Sequence, residues 1–284
     1  MNNERILITG AKGFVGCRAM DYFAGASALP GEVARAADSA SVLKCVQAAQ
    51  PELIIHTAAI SDIGTCERNP DASYLANVRL TVALAQAAKS VGAKLVCFSS
   101  DQVYTGCKDE GPYRDDVELP EPANVYARHK LESEKRVLDM LPDAVMLRAT
   151  WMYDMPRYGH ANRGNLLMIA LRAAMRGEKL SFSRRDHRGI TYVRQIAQLL
   201  EGAAKLPGGA YNYGSENELN MYDTVKALFA SLGLSDRVDE LLEESDAAHH
   251  GLWMDCSRIR QHGIAFDTTA EGFERCAADY GLRL

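Results

Sequence analysis

Apolar runs of strand length alternate with segments of helical spacing over the first half of the chain. Strands are predicted at 6–8, 53–56, 94–98 and 144–148, and helices at 14–23, 42–49, 73–91 and 125–140. Strands that alternate with helices indicate a parallel sheet with helices on both faces. The predicted fold is therefore α/β, with a doubly wound parallel sheet that binds its ligands beyond the carboxyl ends of its strands.

The pattern is less regular in the second half of the chain. A loop, a helix and a short strand are predicted there, at 154–164, 165–176 and 210–213. We interpret residues 1–155 as the main domain, to which a segment near 185–205 returns. Residues 156–284 are interpreted as a smaller C-terminal α/β domain on the substrate side.

Three glycines, Gly10, Gly13 and Gly16, stand between the first predicted strand and the first predicted helix. Glycine allows a positive φ and lets a phosphate approach the backbone closely, and a helix N-terminus adds unpaired N–H groups. The spacing is G-x-x-G-x-x-G, not the G-x-G-x-x-G of many dehydrogenases. Strand, glycine loop and helix together predict a Rossmann-type seat for the pyrophosphate of NAD or NADP.

The segment that would recognise the adenosine ribose gives a less definite answer. An acidic residue about 20 positions after the loop would hold a ribose hydroxyl of NAD. Residues 25–33 contain a Pro-Gly break, so the second strand is predicted to be short or displaced, and Arg35 and Asp38 are the nearest charged residues beyond it. Arg35 would suit the 2′-phosphate of NADP, although a solvated surface arginine is the commoner interpretation. The choice between the two cofactors stays open, with NADP slightly favoured.

Tyr126 and Lys130 lie four residues apart on a predicted helix, so both side chains project from one face. A tyrosine is a poor acid or base at neutral pH, but a nearby ammonium stabilises its phenolate. Ser100 follows a predicted strand and would hold the oxygen of the reacting carbon. Such pairs also occur by chance on exposed helices, but the glycine loop and strand-end serine before this one favour a proton donor beside a nicotinamide.

Composition and charge exclude several classes of protein. A net charge of −5 argues against general nucleic-acid binding, and no apolar run approaches the ~20 residues that span a bilayer. Seven scattered cysteines without a C-x-x-C pair indicate reduced thiols. His249 and His250 lack partners at metal-binding spacing, so no metal is expected. Since no signal peptide is expected either, we predict a cytoplasmic location.

Several motifs occur together and in order along the chain. They lie at 9–16, at 56–59 with 66–70 and 77–78, at 99–106 and at 126–130, with further matches at 147–153 and, weakly, at 255–259. In these segments the chain resembles the extended short-chain dehydrogenase/reductase family. The most similar subgroup is that of the dTDP-4-dehydrorhamnose reductases and related sugar-nucleotide enzymes. The resemblance covers nearly the whole length.

The resemblance implies a role for individual residues. The residues that it places at the cofactor are Gly10, Gly13, Phe14, Val15, Gly16, Ala58, Ala59, Asn77, Ser99, Tyr126 and Lys130. Those that it places at the reaction are Ser100, Asp101, Tyr126 and Lys130. Trp151 and Asn165 would lie near the sugar, and Arg188 and Tyr192, a looser match, would contact the nucleotide diphosphate. Dimers are common in the family, so a homodimer is expected by analogy only.

The residues after Ser100 distinguish the reactions of the family. Dehydratases carry Thr-Asp-Glu, whose acidic pair eliminates water, reductases carry Thr-Asp-Tyr, and epimerases usually lack the aspartate. Here Asp101 is followed by Gln102, which cannot act as a base. The resemblance therefore implies NAD(P)H-dependent reduction of a nucleotide-linked 4-keto-sugar, with the proton from Tyr126. A sugar-nucleotide epimerase is an alternative.

A further hypothesis belongs to another class of protein. Some relatives of these reductases are non-catalytic binding subunits that regulate a partner enzyme. The shortened second-strand region and Gln102 suit such a chain, whereas Ser100, Tyr126 and Lys130 favour catalysis. The sequence leaves open the nucleotide, the sugar and whether catalysis is retained.

Overall fold

The structure, a computed structural model, describes residues 2–160, 164–246 and 251–282. His249 and His250 lie outside these ranges. The strands are β1 (Ile6–Thr9), β2 (Ser27–Ala28), β3 (Leu53–His56), β4 (Lys94–Ser100), β5 (Val145–Ala149), β6 (Trp151–Tyr153), β7 (Leu180–Ser183), β8 (Ile190–Tyr192), β9 (Gly209–Tyr213) and β10 (Leu242–Ser245).

Helices connect the strands and cover the sheet. The α-helices are α1 (Gly16–Tyr22), α2 (Gly31–Ala36), α3 (Ser39–Ala49), α4 (Ile63–Arg68), α5 (Pro70–Tyr74), α6 (Leu80–Val91), α7 (Val125–Met140), α8 (Leu166–Arg176), α9 (Val193–Gln198), α10 (Leu200–Ala203), α11 (Met221–Ser231), α12 (Val238–Leu241), α13 (Ser257–Gln261) and α14 (Thr269–Tyr280). A π-helical turn, Leu75–Arg79, joins α5 to α6, and a 3₁₀ segment, Asp101–Gly106, follows β4.

The centre of the molecule is a six-stranded sheet in the order β2-β1-β3-β4-β5-β9. Each neighbouring pair is parallel. All residues of β1, β3 and β5 are buried, as expected for parallel strands covered on both faces. The predicted doubly wound α/β fold is confirmed. The short second strand is confirmed too, since β2 has two residues and ends just before Pro30.

Side chains that alternate along the strands form two separate cores. Ile6 and Ile8 point to one face, where they join a cluster with residues of α1, α9 and α10. Leu7 points to the other face, where its cluster includes residues of α3, α6 and α7. Strand alternation with helices on both faces is the three-layer arrangement of a doubly wound sheet.

Strand β9 belongs to the main sheet, although its sequence was assigned to the smaller domain. Its residues pair in parallel with β5, from Val145 opposite Gly209 to Ala149 opposite Tyr213. Tyr211 and Tyr213 are fully buried in the core of the first face. The chain therefore returns to the sheet beyond the expected segment 185–205 as well as through α9 and α10 within it.

The rest of the second half packs into a core of its own. The pairs β6–β8 and β7–β10 are parallel, and a third apolar cluster joins residues of α8, α11 and α14. The expected division at residue 155 stays a prediction. Within the described ranges, no helix combines the length and apolarity that crossing a membrane requires.

The strand order reverses direction between β1 and β3, because β2 lies on one side of β1 and β3 lies on the other. In open α/β sheets such a point leaves a crevice beyond the carboxyl ends of the strands, where ligands bind. The glycine loop follows β1, and the segment beginning at Thr57 follows β3. The fold thus brings the glycine loop and the segment after β3 together along this edge of the sheet.

Candidate active site

The glycine loop brings bare backbone against the segment after β3. Gly10 has φ +69°, and a Cβ at this position would lie 2.8 Å from the backbone nitrogen of Ala58. A Cβ on Gly16 would collide with the carbonyl oxygen of Gly10. The N-cap of α1, Val15, makes no side-chain capping bond. A loop of this shape can accept a pyrophosphate at close range.

Beneath the loop, His56 at the end of β3 is a packed, buried residue. It is 1% exposed, and its two ring nitrogens lie 2.7 Å from Thr9 Oγ1 and 2.9 Å from Thr81 Oγ1. Burial, together with the nearby charge of Lys130, lowers the pKa of His56 to about 3. The imidazole is therefore neutral at physiological pH and links β1, β3 and α6.

Asn77 supports the same crevice from the π-helical turn. Its Oδ1 accepts the Ile60 N–H at 3.1 Å, and its Nδ2 donates to the Ile60 carbonyl at 2.8 Å. The amide thereby satisfies both backbone groups of the residue that follows Ala59. Single π-helical turns are frequent at functional sites, and this one fixes the path of the chain past the crevice.

Tyr126 and Lys130 lie together at the start of α7, beside β4. Tyr126 is 7% exposed and lines the cleft, whereas Lys130 is 2% exposed behind it. The Lys130 Nζ donates to the Phe98 carbonyl at 2.7 Å and lies 5.8 Å from the centre of the Tyr126 ring. Burial lowers the pKa of Lys130 to about 8, against the opposing influence of Cys97 and Glu134. The ammonium is held where it can stabilise a phenolate.

Ser100 and Asp101 face the same cleft where β4 ends. The Ser100 hydroxyl donates to Asp101 Oδ1 at 2.9 Å and accepts the Gln102 N–H at 3.2 Å. The other carboxylate oxygen, Asp101 Oδ2, pairs with Arg188 Nη2 at 2.7 Å. Serine, carboxylate and guanidinium thus form one connected group in the cleft that Tyr126 also lines.

A buried polar network lies beneath Ser99, which sequence reasoning did not foresee. The Ser99 hydroxyl donates to Glu134 Oε1, and the Glu134 carboxylate forms an ion pair with Arg148, 2.8 Å from Oε2 to Nη2. Arg148 also donates to the Tyr104 hydroxyl at 3.0 Å. Since Glu134 lies four residues after Lys130, its helical spacing was the available signal, but its partner on β5 was not visible in the sequence.

These residues surround a cleft of about 550 Å³. Its walls come from the glycine loop, the segment after β3, the end of β4, the start of α7 and the segment around β6. Ligand sites of α/β proteins have volumes of this order. The cleft brings Phe14, Ser100, Asp101 and Tyr126 together.

Another cavity of about 570 Å³ lies between α1 and α14. All three of its arginines are already paired with carboxylates, Arg18 with Asp154, Arg157 with Asp21 and Arg194 with Asp279. Ser100, Asp101 and Tyr126 line the cleft and not this cavity, so the cleft is the candidate active site.

Three of the four predicted substrate residues line the cleft: Trp151, Asn165 and Arg188. Asn165 also caps α8, because its Oδ1 accepts the Met168 N–H at 3.1 Å. The fourth, Tyr192, is not among the residues that line the cleft. It is 1% exposed in the core of the smaller lobe, and its hydroxyl donates to Asp279 Oδ2 at 3.0 Å. The structure does not bring Tyr192 to the cleft lining.

Arg35 lies on the surface of α2, just beyond the end of β2. Its guanidinium folds back over Gly31, where a Cβ would lie 3.0 Å from Arg35 Nη1. Asp38, the other charged candidate, caps α3, since its Oδ2 accepts the Ser41 N–H at 2.8 Å. The cation is thus the candidate nearer to the strand end, as a contact with a 2′-phosphate would require.

Gln102 has a structural task that the sequence did not reveal. Its Oε1 accepts a hydrogen bond from Asn124 Nδ2 at 3.1 Å. Asn124 is the N-cap of α7, and its Oδ1 accepts the Ala127 N–H at 2.9 Å. Gln102 therefore ties the turn that carries Ser100 to the end of the helix that carries Tyr126.

Chemically, the cleft offers a phenol backed by an ammonium, a serine hydroxyl and a carboxylate paired with an arginine. The described residues include no group of three or more His, Cys, Asp or Glu side chains able to hold a metal ion. The parallel sheet and the glycine loop after its first strand have the arrangement that the resemblance to the extended short-chain dehydrogenases/reductases implied.

Within that class, the chain belongs to the family described as the RmlD substrate binding domain, whose model matches residues 4–249. Subunit beta of methionine adenosyltransferase 2 from Xenopus laevis is 30% identical over 291 residues, which cover 92% of this chain and 83% of the relative. The spore coat polysaccharide biosynthesis protein SpsK of Bacillus subtilis is 27% identical over 239 residues, covering 82% and 81%.

The fold is also similar to that of a solved reductase. dTDP-4-dehydrorhamnose reductase from Bacillus anthracis, crystallised in complex with NADP, has a TM-score of 0.83 at 22% identity, over 97% of this chain and 99% of that chain. At this level of identity the similarity establishes the common α/β fold.

Proposed function

We propose that this protein uses NADPH or NADH to reduce the 4-keto group of a nucleotide-linked sugar. One observation carries the proposal: Ser100 and Tyr126 line a single cleft, with the buried ammonium of Lys130 behind the tyrosine ring. Membership of the RmlD substrate binding domain family supports the proposal. So does the fold shared with a dTDP-4-dehydrorhamnose reductase that was crystallised with NADP.

The residues present fit a dinucleotide. Side chains are absent from the loop at Gly10, Gly13 and Gly16. Gly10 packs so closely on Ala58 that a Cβ at this position would clash with the Ala58 backbone. This loop would hold the pyrophosphate, and Ala58 and Ala59 would form the adjoining wall, which Asn77 supports from behind through its bonds to Ile60. Ser99 would face the nicotinamide, and Arg35 would be the residue available to the adenosine ribose. When bound, the reduced nicotinamide supplies a hydride.

The side chains of the cleft perform the remaining steps. Ser100 directs its hydroxyl at the keto oxygen, and Tyr126 gives that oxygen a proton as it becomes an alcohol. Lys130 stabilises the resulting phenolate. Trp151 and Asn165 bound the space for the sugar, and Arg188 stands at its edge.

Turnover with purified sugar nucleotides tests the proposal. We expect NAD(P)H oxidation with at least one dTDP-, UDP- or GDP-linked 4-keto-sugar. Tyr126→Phe removes the proton donor and should lower kcat by at least about 10²-fold, while the Kd for NADPH, measured by fluorescence, stays within about threefold.

Tyr22→Phe is the matched control, because Tyr22 lies on the outer end of α1, away from the cleft. It should leave kcat unchanged. Full activity of Tyr126→Phe would remove Tyr126 from the role of acid.

A second candidate function follows from the similarity to subunit beta of methionine adenosyltransferase 2. We propose as the alternative that this chain is a non-catalytic, NAD(P)-binding subunit that regulates a partner enzyme. Size-exclusion chromatography with the methionine adenosyltransferase of the same organism, followed by assay of that enzyme, separates the two functions. A stable complex in which the kinetics of the methionine adenosyltransferase are altered, together with no reduction of any keto-sugar, would favour the alternative.

A further inference from the structure

Arg188, Asp101 and Ser100 form a chain of direct contacts across the cleft. Arg188 Nη2 lies 2.7 Å from Asp101 Oδ2, and the Ser100 hydroxyl donates to Asp101 Oδ1 at 2.9 Å. The Asp101 side chain is 4% exposed and the Arg188 side chain 19%. Water therefore screens this ion pair less than it would screen a surface pair.

The hydroxyl of Ser100 has a single hydrogen, which it uses to donate a hydrogen bond to Asp101. Its oxygen also accepts the Gln102 N–H at 3.2 Å. To direct its hydroxyl at a substrate oxygen, Ser100 must release Asp101. The ease of that release depends on how much negative charge Asp101 presents to the serine. An arginine bound to the other carboxylate oxygen takes up part of this charge and weakens the hold on Ser100.

The position of Arg188 is set by Asp101 and Trp151. Its guanidinium carbon lies 5.1 Å from the centre of the Trp151 ring, and its backbone carbonyl accepts Asn217 Nδ2 at 2.9 Å. Its buried Nε finds no acceptor among the described residues, which is unfavourable for a buried donor. The guanidinium is thus held on the carboxylate at the expense of one of its own hydrogen bonds.

We propose that Arg188 is a positioning residue that acts through Asp101 to free the hydroxyl of Ser100 for the reacting oxygen. The inference rests on the proposed reduction. It differs from the anchoring of a nucleotide diphosphate, which would affect substrate affinity. A group that acts through Ser100 affects the reaction step instead, so its loss appears in kcat.

Steady-state kinetics of Arg188→Gln, Arg188→Lys and Asp101→Asn test the proposal. Removal of one hydrogen-bond donor from an oxyanion costs roughly 10²–10³-fold in kcat. Since Arg188 acts at one remove, we expect Arg188→Gln to lower kcat on the order of 10- to 100-fold, with KM nearly unchanged. Arg188→Lys, which keeps the charge, should recover part of the loss. In an Asp101→Asn background, Arg188→Gln should have little further effect.

Arg184→Gln is the control, because Arg184 pairs with Asp223 and Glu244 on the surface just upstream. It should keep both kcat and KM. NADPH titration and thermal melting of each variant verify that the fold persists; if Arg188→Gln does not fold, Arg188→Lys and Asp101→Asn carry the test.

The outcomes separate the two claims. A higher KM at unchanged kcat, or equal effects of Arg188→Gln in both backgrounds, would overturn the positioning role while the reduction stands. Absence of turnover by the wild-type protein with every 4-keto-sugar would overturn the reduction and the inference with it.

Discussion

Lys130 is a cation that the fold has withdrawn from water. It is 2% exposed, and burial lowers its pKa to about 8. A lysine in this state is charged at neutral pH and loses its charge within the experimentally accessible range. The proposed chemistry therefore depends on pH through the protonation of this one residue.

Turnover should fall as pH rises through about 8, because the Lys130 ammonium that supports the Tyr126 phenolate is lost there. The pH dependence of kcat checks this. In Lys130→Arg the cation persists at high pH, so any activity that this variant retains should lack the alkaline decline. The role of the ammonium would be contradicted by a wild-type kcat that stays constant at pH values more than about one unit above the pKa of Lys130.

His56 should make the protein sensitive to acid. Its pKa is about 3 in the folded protein and about 6.5 when unfolded. Between these values the unfolded chain binds the additional proton, so stability is lost as pH falls, by up to about 1.4 kcal/mol per pH unit. Urea unfolding of wild type and His56→Gln at several pH values from neutral to about three units below measures how the free energy of unfolding of each protein depends on pH. If the free energy of unfolding fell equally with pH in both proteins, His56 would not be the cause of the acid sensitivity.

At the residue scale the sequence pointed to residues that lie within motifs, whereas contacts between distant residues were not visible in it. Ser100, Tyr126 and Lys130 were recognised because strand end and helix spacing constrain them. The pairing of Glu134 with Arg148 was not predicted, although Arg148 belongs to the matching segment 147–153, because the two residues lie 14 positions apart on different elements. Tyr192 was assigned to the substrate from a loose match, and its hydroxyl is engaged by Asp279.

At the scale of elements, local chemistry determined which boundaries could be predicted. Helix α7 begins and ends as predicted, because Asn124 caps its start. Helix α8 ends at Gly177 with φ +65°, a conformation that suits glycine. The place of β9 in the main sheet could not be predicted, because its partner β5 is distant in sequence.

The cap at Asn124 should matter for activity as well as for stability. Asn124→Ala removes the bond to Ala127 and the bond to Gln102, and loss of an N-cap costs about 1 kcal/mol. We expect a lower free energy of unfolding and a reduced kcat, because Tyr126 lies in the first turn of this helix.

Thr268→Ala provides the comparison for Asn124→Ala. Thr268 caps α14 in a capping box with Glu271, remote from the cleft lining. Its loss should cost a similar amount of stability, about 1 kcal/mol, at unchanged kcat. Equal kinetics of the two variants would refute a link between the α7 cap and the tyrosine.

At the scale of the whole molecule, the buried ion pair of Glu134 and Arg148 joins α7 to the sheet. The two side chains are 3% and 6% exposed. Arg148→Met leaves the carboxylate buried without its cation and should destabilise the fold by about 3–5 kcal/mol. Chemical denaturation measures the loss.

Two further variants place that result in context. Replacement of both partners, by Glu134→Leu with Arg148→Met, should recover much of the stability, since no unpaired charge remains. Arg184→Met breaks a half-exposed pair with Asp223 and should cost no more than about 1 kcal/mol. Equal losses for Arg148→Met and Arg184→Met would show that the buried pair has no special weight.

Transfer of deuteride from NADPH labelled at the nicotinamide C4 tests the central claim most directly. With a nucleotide-linked 4-keto-sugar as acceptor, mass spectrometry and NMR of the product should locate one deuterium on C4 of the sugar, and Tyr126→Phe should abolish its appearance. A wild-type protein that binds the labelled NADPH tightly and transfers no deuterium to any such sugar would contradict the account.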